Sequence, residues 1–192
     1  MAVEELQYAP VERFHDIEIR QYAPHIVAET KVTGSFDSVG NVAFRRLAGY
    51  IFGKNRRQDA SAPAITAGGA SVGAEKIAMT APVTQTGGDN SWGVAFVMPS
   101  SYSMDSLPEP MDDGVRLSQR PAQLMAALRY SGSWRKSTFD KKRAELEERI
   151  GEHGYVAVGP AVFARYNPPY TLWFRRRNEV LIPVERSAER RQ

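Results

Sequence analysis

The first half of the chain alternates before it turns helical. Ile17 and Ile19 alternate with Glu18 and Arg20, the period of a half-buried strand. Tyr22-Ala23-Pro24 interrupts the pattern. A second alternation runs from His25 to Val32, with Ile26, Ala28, Thr30 and Val32 on one face and Val27, Glu29 and Lys31 on the other. Gly34 ends it, and Ser35, Asp37 and Ser38 then offer oxygens to cap a helix. Val39, Val42, Ala43, Leu47, Tyr50 and Ile51 recur at helical spacing, and Gly53 supplies the stop. Residues 54–75 read as a loop rich in Ala, Gly and Ser, opening on Lys54-Asn55-Arg56-Arg57. Apolar strands are predicted over 77–84 and 92–99. Pro108 and Pro110 mark an exposed connection that turns at Asp112-Asp113-Gly114.

The same order then recurs. Strands are predicted over 115–120 and 122–130, a helix over 137–150 capped by Ser137 and Asp140, and strands over 162–167 and 178–184. At a constant offset of 98, Gln21 aligns with Gln119, Ala28 with Ala126, Lys31 with Arg129, Gly34 with Gly132 and Ser35 with Ser133. Among the later strands, Ala78-Met79-Thr80-Ala81-Pro82 matches Ala164-Arg165-Tyr166-Asn167-Pro168, and Val97-Met98-Pro99 matches Leu181-Ile182-Pro183. This sets Glu179 against Ala95. The expectation is an α+β fold: a distorted, mostly antiparallel eight-stranded barrel with two helices, built from a pseudo-two-fold duplicated ββαββ unit. It forms a single domain over 11–184, with repeats at about 14–100 and 113–184, and 185–192 as a basic tail. A seam between such halves favours a ligand cleft.

Composition narrows the chemistry. The chain has 192 residues and no cysteine, so disulfides, thiolate zinc sites, iron–sulfur clusters and covalent haem attachment are excluded. The net charge is +3, and residues 175–192, with six arginines against three glutamates, carry an equal surplus. Nucleic-acid binding, which needs basic residues spread over a face, is therefore not expected. No early apolar run follows a basic flank, and none approaches the about 18 residues of a membrane span. The expected location is the cytoplasm.

Catalytic motifs are sparse. Gly69-Ala70-Ser71-Val72-Gly73 spells G-x-S-x-G, but a nucleophile elbow needs a strand before it and a helix after it, and its flanks here are loop-like. No catalytic residue is assigned. The histidines are His15, His25 and His153, none spaced to share a metal with another on one helix face. His25, opening a strand, is the candidate axial ligand should haem bind. Met79 and Met98 are strand residues able to act as soft ligands or as core filler. Glu179 opens the apolar run Glu179-Val180-Leu181-Ile182-Pro183-Val184 and shares a face with Leu181. If that face is buried, the carboxylate needs an arginine, a hydroxyl or a cationic ligand. A salt bridge to one of Arg175, Arg176 or Arg177 competes with a polar anchor in an apolar pocket. Aromatic residues cluster late in the chain. With Phe96, Tyr166 and Trp173 among them, the ligand-binding candidates are Met79, Phe96, Met98, Tyr166, Trp173 and Glu179. Lys54, Arg56 and Arg176 are the candidates for pairing with propionates.

Lys76-Ile77-Ala78-Met79-Thr80-Ala81-Pro82-Val83 resembles the signature of the SOUL haem-binding family. Ile17-Glu18-Ile19-Arg20-Gln21-Tyr22, Tyr50-Ile51-Phe52-Gly53-Lys54-Asn55, Tyr166-Asn167-Pro168-Pro169 and Arg176-Arg177-Asn178-Glu179-Val180 fit in the same order. The resemblance implies noncovalent binding of haem b or another tetrapyrrole in an apolar cleft beside the first helix, and does not imply catalysis. Two haem anchors discussed for the family do not transfer: the histidine position is Gln21, and the helix positions of Arg and Lys are Asn41 and Gly49. A more distant similarity, to gyrase-inhibitor-like effector-binding domains, implies a pocket for cationic or amphiphilic small molecules with Glu179 as counter-charge. Some relatives of that group are hydrolases.

Overall fold

The computed structural model describes residues 3–57 and 73–187. Strands β1 (Glu4–Glu5), β2 (Tyr8–Phe14), β3 (Ile17–Tyr22) and β4 (His25–Thr33) lead into helix α1 (Phe36–Ile51). There follow β5 (Asn55–Arg56), β6 (Thr80–Ala81), β7 (Val83–Gly88), β8 (Ser91–Val97) and β9 (Glu109–Pro110). The second half holds β10 (Arg116–Arg120), β11 (Gln123–Tyr130), helix α2 (Lys136–Glu152), β12 (Tyr155–Ala157), β13 (Val162–Arg165), a 3-10 turn at Trp173–Arg175, and β14 (Asn178–Arg186).

The fold is α+β. One large, curled antiparallel sheet runs β10-β4-β8-β7-β13-β14-β11-β3-β2, with β12 added beside β14. It is open at β10 and β2 and forms a distorted half-barrel, with ten strands in the sheet where eight were expected. β2 and β12 lie outside the sequence expectation because neither alternates cleanly. The first strand of each half is exchanged: β3 lies on β11 and β10 on β4. Leu117 faces Ala28 and Ile19 faces Ala126, so this register repeats at the offset of 98 seen in the sequence.

The later strands shift against the sequence match. Lys31 pairs with Gly93 and Arg129 with Glu179, which makes Gly93, not Ala95, the equivalent of Glu179. Gln85 faces Phe163 across the centre of the sheet. Residues 77–81 leave the main ladder for a physical reason: the Ile77 N–H donates to the Ile51 carbonyl, and Thr80–Ala81 pairs in parallel with Glu4–Glu5.

Both helices cover one face of the sheet. α1 buries Phe36, Val39, Ala43, Leu47, Tyr50 and Ile51, whereas Val42, expected on that stripe, is exposed. α2 buries Phe139, Leu146 and Ile150. Phe36 stacks on Phe139 and Phe163, each at 5.4 Å between ring centres, and joins the two helices over the sheet. The expected caps are used differently. Ser35 occupies the cap position of α1 but donates to Ser38 Oγ, and Asp37 accepts from the Lys136 N–H at the start of α2. Ser137 and Asp140 lie inside α2, where Asp140 pairs with Lys136. β14 runs on to Arg186, two residues past the expected domain end, because Tyr155 and Val156 continue its ladder.

Candidate functional site

The face of the sheet opposite the helices carries two small apolar clusters. Tyr22, Met125, Ala127, Ala164 and Leu181 form one, and Val27, Ala95 and Val97 the other. Leu6 packs against both. It sits on a strap formed by residues 3–8, which is fastened at several points. The Leu6 N–H donates to the Ala81 carbonyl at 2.9 Å, Glu4 accepts from the Ser100 N–H at 2.8 Å, and Glu5 pairs with Arg177 at 2.8 Å.

A cleft of about 510 Å³ opens on one side of the strap. Its walls come from the strap, the start of β4 (His25, Ile26), the end of β8 (Val97) and the segment that follows it, including Met98, Tyr102, Met104 and Asp105. The His25 Nδ1 lies 3.0 Å from the Ala23 carbonyl. A carbonyl only accepts, so Nδ1 carries the hydrogen and the neutral ring keeps its lone pair on Nε2. Burial lowers the His25 pKa below its ordinary value, against the Ala23 carbonyl, which raises it. Among the described residues no lysine or arginine lines this cleft, whereas Glu4, Glu5 and Asp105 do.

A smaller polar cavity of about 260 Å³ lies on the other side of the strap. Glu5 lines both cavities, so the strap divides them. The floor of the second is an ionic node around Glu179, which is fully buried. Glu179 Oε2 accepts from Arg20 Nη1 at 2.7 Å and from the Tyr166 hydroxyl at 2.8 Å, while Oε1 accepts from Arg177 at 3.1 and 3.2 Å. Arg20 also pairs with Glu18 at 2.7 Å and lies 4.3 Å over the Tyr8 ring. Burial pushes the Glu179 carboxyl up, but the hydrogen bond and charge of Arg20, with Arg177, outweigh it and hold the group below the usual carboxylate range. The same burial pushes the Tyr166 hydroxyl up. Glu179 is thus already paired by two guanidinium groups.

The expected site residues separate into distinct places. His25 and Met98 share the open cleft. Glu179 and Tyr166 share the buried node. Phe96 is core beneath α1, its ring edge-on to Phe44, and Met79 is partly exposed outside both cavities. Trp173 is 62% exposed on the 3-10 turn. Arg176 donates to the Thr171 and Pro169 carbonyls beside Trp134, Arg56 pairs with Glu109, and the Lys54 side chain lies along Gly49. Neither cavity has a residue of α1 in its walls, so the cleft expected beside the first helix is not where these openings lie. Ser71 and its motif neighbours 69–72 fall outside the described residues. Among the described residues no group of three or more His, Asp or Glu side chains is placed to hold a metal.

Sequence reasoning missed Arg20 and the strap. Arg20 is legible as the cationic member of Glu18-Arg20-Tyr22, which shares the face of Glu179 across β11. The strap carries no periodic signal, and only Leu6 between charged and polar neighbours marks it.

The chain thus folds as a two-helix half-barrel with an open cleft on its uncovered face. The family model described as SOUL heme-binding protein matches residues 3–183, and the chain belongs to that family. Comparison with curated proteins finds no match. Among solved structures, the chain is similar to the EcmrR C-terminal domain, with TM-score 0.62 at 11% identity over 88% of this chain and 97% of that one. It is also similar to a hydrolase from Listeria innocua, with TM-score 0.58 at 11% identity over 96% of this chain and 100% of that one. At these identities the likeness is one of fold. No helix among the described residues is long and apolar enough to cross a membrane.

Proposed function

We propose that this protein binds haem or a related tetrapyrrole noncovalently in the open cleft between the strap, the start of β4 and the end of β8. The observation that carries the reading is His25. It lines a cleft of ligand size, and its Nδ1–H bond to Ala23 fixes the tautomer that leaves Nε2 free to coordinate. Among the described residues Nε2 has no hydrogen-bond partner. Met98, Val97, Ile26 and Leu6 supply apolar walls and Tyr102 an aromatic one. When bound, haem would supply an iron centre with exchangeable axial ligation. The chain's own residues would hold the ring between apolar walls, and His25 Nε2 would offer a nitrogen ligand. Lys54, Arg56 and Arg176, the propionate partners expected from the sequence, stand outside the cleft.

A second reading rests on the carboxylates. Among the described residues Glu4, Asp105 and the Arg177-paired Glu5 line the cleft without a lysine or arginine, an arrangement that favours a lipophilic cation. Glu179 would then act as a structural node rather than the counter-charge. Titration with haemin and, separately, with a lipophilic phosphonium cation distinguishes the two. A saturable Soret shift at micromolar haemin supports the first reading. No shift, with saturable binding of the cation, supports the second. Binding of neither overturns both.

A further inference from the structure

The strap itself has the chemistry of a ligand. Glu5 places a carboxylate 2.8 Å from Arg177, and the adjacent Leu6 places a branched alkyl group on the seam between the two apolar clusters. Glu5 and Leu6 together present an anionic head beside an apolar body. Beneath Leu6 lie the two clusters, Val27, Ala95 and Val97 in one and Ala164, Leu181, Met125 and Tyr22 in the other, with Arg177 and the buried Arg20 in the wall of the smaller cavity. The strap also separates the two cavities, since Glu5 lines both.

We infer that the strap is a built-in occupant of a longer groove, displaced by amphiphilic carboxylates whose head group takes the place of Glu5 on Arg177 and whose apolar body takes the place of Leu6. The inference deepens the proposed function and rests on the open cleft being a ligand site. It supplies the basic partner that the open cleft lacks, because an acid side chain of the ligand reaches Arg177 only when Glu5 leaves it. The strap is held weakly enough to exchange. β1 has two residues and one neighbour, β6, and Glu4 and Glu5 are both exposed. Its fastenings are one apolar side chain, a few hydrogen bonds and a half-exposed ion pair, and such surface pairs contribute little. A competitor tethered to the site lowers apparent affinity by the fraction of time that it is closed. Weakening the strap therefore tightens binding.

The test uses dodecanoate, and dodecyltrimethylammonium as a probe of equal chain length and opposite head charge, both below their micellar concentrations. Calorimetry on the full chain is expected to show dodecanoate binding, tightened by about five-fold in Glu5→Gln and again in Leu6→Ala. Arg177→Lys, which keeps a charge beside Glu179, is expected to weaken dodecanoate relative to the cation. Hydrogen exchange at the Leu6 amide is expected to accelerate when dodecanoate saturates the protein, because its bond to the Ala81 carbonyl is lost. An unchanged Leu6 exchange rate at saturation, or unchanged dodecanoate affinity in Glu5→Gln, overturns the inference. These outcomes are separable from the haem reading: a haemin Soret shift with the strap still protected retains the cleft and rejects displacement. Dodecanoate binding that releases the strap, with no haemin response, does the reverse.

Discussion

Arg20 on β3 and Glu179 on β14, 159 positions apart in sequence, meet at 2.7 Å across β11 with neither side chain appreciably exposed. They fasten the exchanged first strand of one half to the last strand of the other. The pair is surrounded by Arg177, Tyr166, Tyr22 and Glu18, so most of its hydrogen-bonding capacity is filled. A pair of this kind is costly to break singly, because the remaining charge is left buried.

Glu179→Gln is expected to destabilise the protein by about 3–5 kcal/mol, the usual effect of removing one member of a buried pair. Replacing both members, Arg20→Met with Glu179→Leu, is expected to recover a large part of that loss. Urea unfolding of the three proteins checks the prediction. A single substitution that costs nothing would show that the node is solvated.

The node also sets an acid dependence. Arg20 and Arg177 hold the folded-state pKa of Glu179 below the ordinary carboxylate range, so its contribution is complete above the unfolded-state pKa. It is lost as pH falls through the folded value. Stability measured from pH 6 downward is expected to fall below about pH 4.5, and to fall less steeply in Glu179→Gln. Parallel curves for the two proteins would contradict this.

His25 is expected to titrate below its ordinary value of 6.5, since its burial disfavours the imidazolium more than the Ala23 carbonyl favours it. Its neutral form is then the stable one at neutral pH, and any ligand coordinated by Nε2 is expected to weaken as pH falls through the His25 midpoint. Following the His25 ring resonances by NMR checks the midpoint. A value above 6.5 would contradict the burial argument.

Gly87 lies near the end of β7, beside the turn to β8, where φ is +126° and an added Cβ would collide with the Ser91 carbonyl oxygen. Gly87→Ala is expected to cost about 1–3 kcal/mol, the range for a side chain forced into that backbone region. Thermal unfolding checks it, and a cost near zero would show that the hairpin shifts register without penalty.

Much of this architecture is legible from local pattern. The alternation at Ile17-Glu18-Ile19-Arg20 and the stripe from Val39 to Ile51 map onto β3 and α1, because each buries one face against one neighbour. The exchange of β3 and β10 between halves is not legible, since it depends on pairing partners far apart in sequence. Nor is the course of Ile77 to Ala81. Its apolar content suits a strand, yet its backbone bonds go to Ile51 and the strap instead of the main ladder. For the site, the sequence singled out His25, Met98 and Glu179 but not their neighbourhoods. Glu179 acquired Arg20 as its partner only through the tertiary pairing of β14, β11 and β3, and the strap owes its place to a single apolar residue, Leu6.

The central claim, that the ligand site is the strap-side cleft holding His25 and Met98, is tested most directly by NMR shift mapping with gallium protoporphyrin IX, a diamagnetic stand-in for haem. The account predicts saturable amide shifts in Leu6, His25, Ile26, Met98 and Tyr102, reduced in His25→Ala. Shifts confined to α1 residues such as Ala43, Phe44 and Leu47, with His25 and Met98 unmoved, would contradict it.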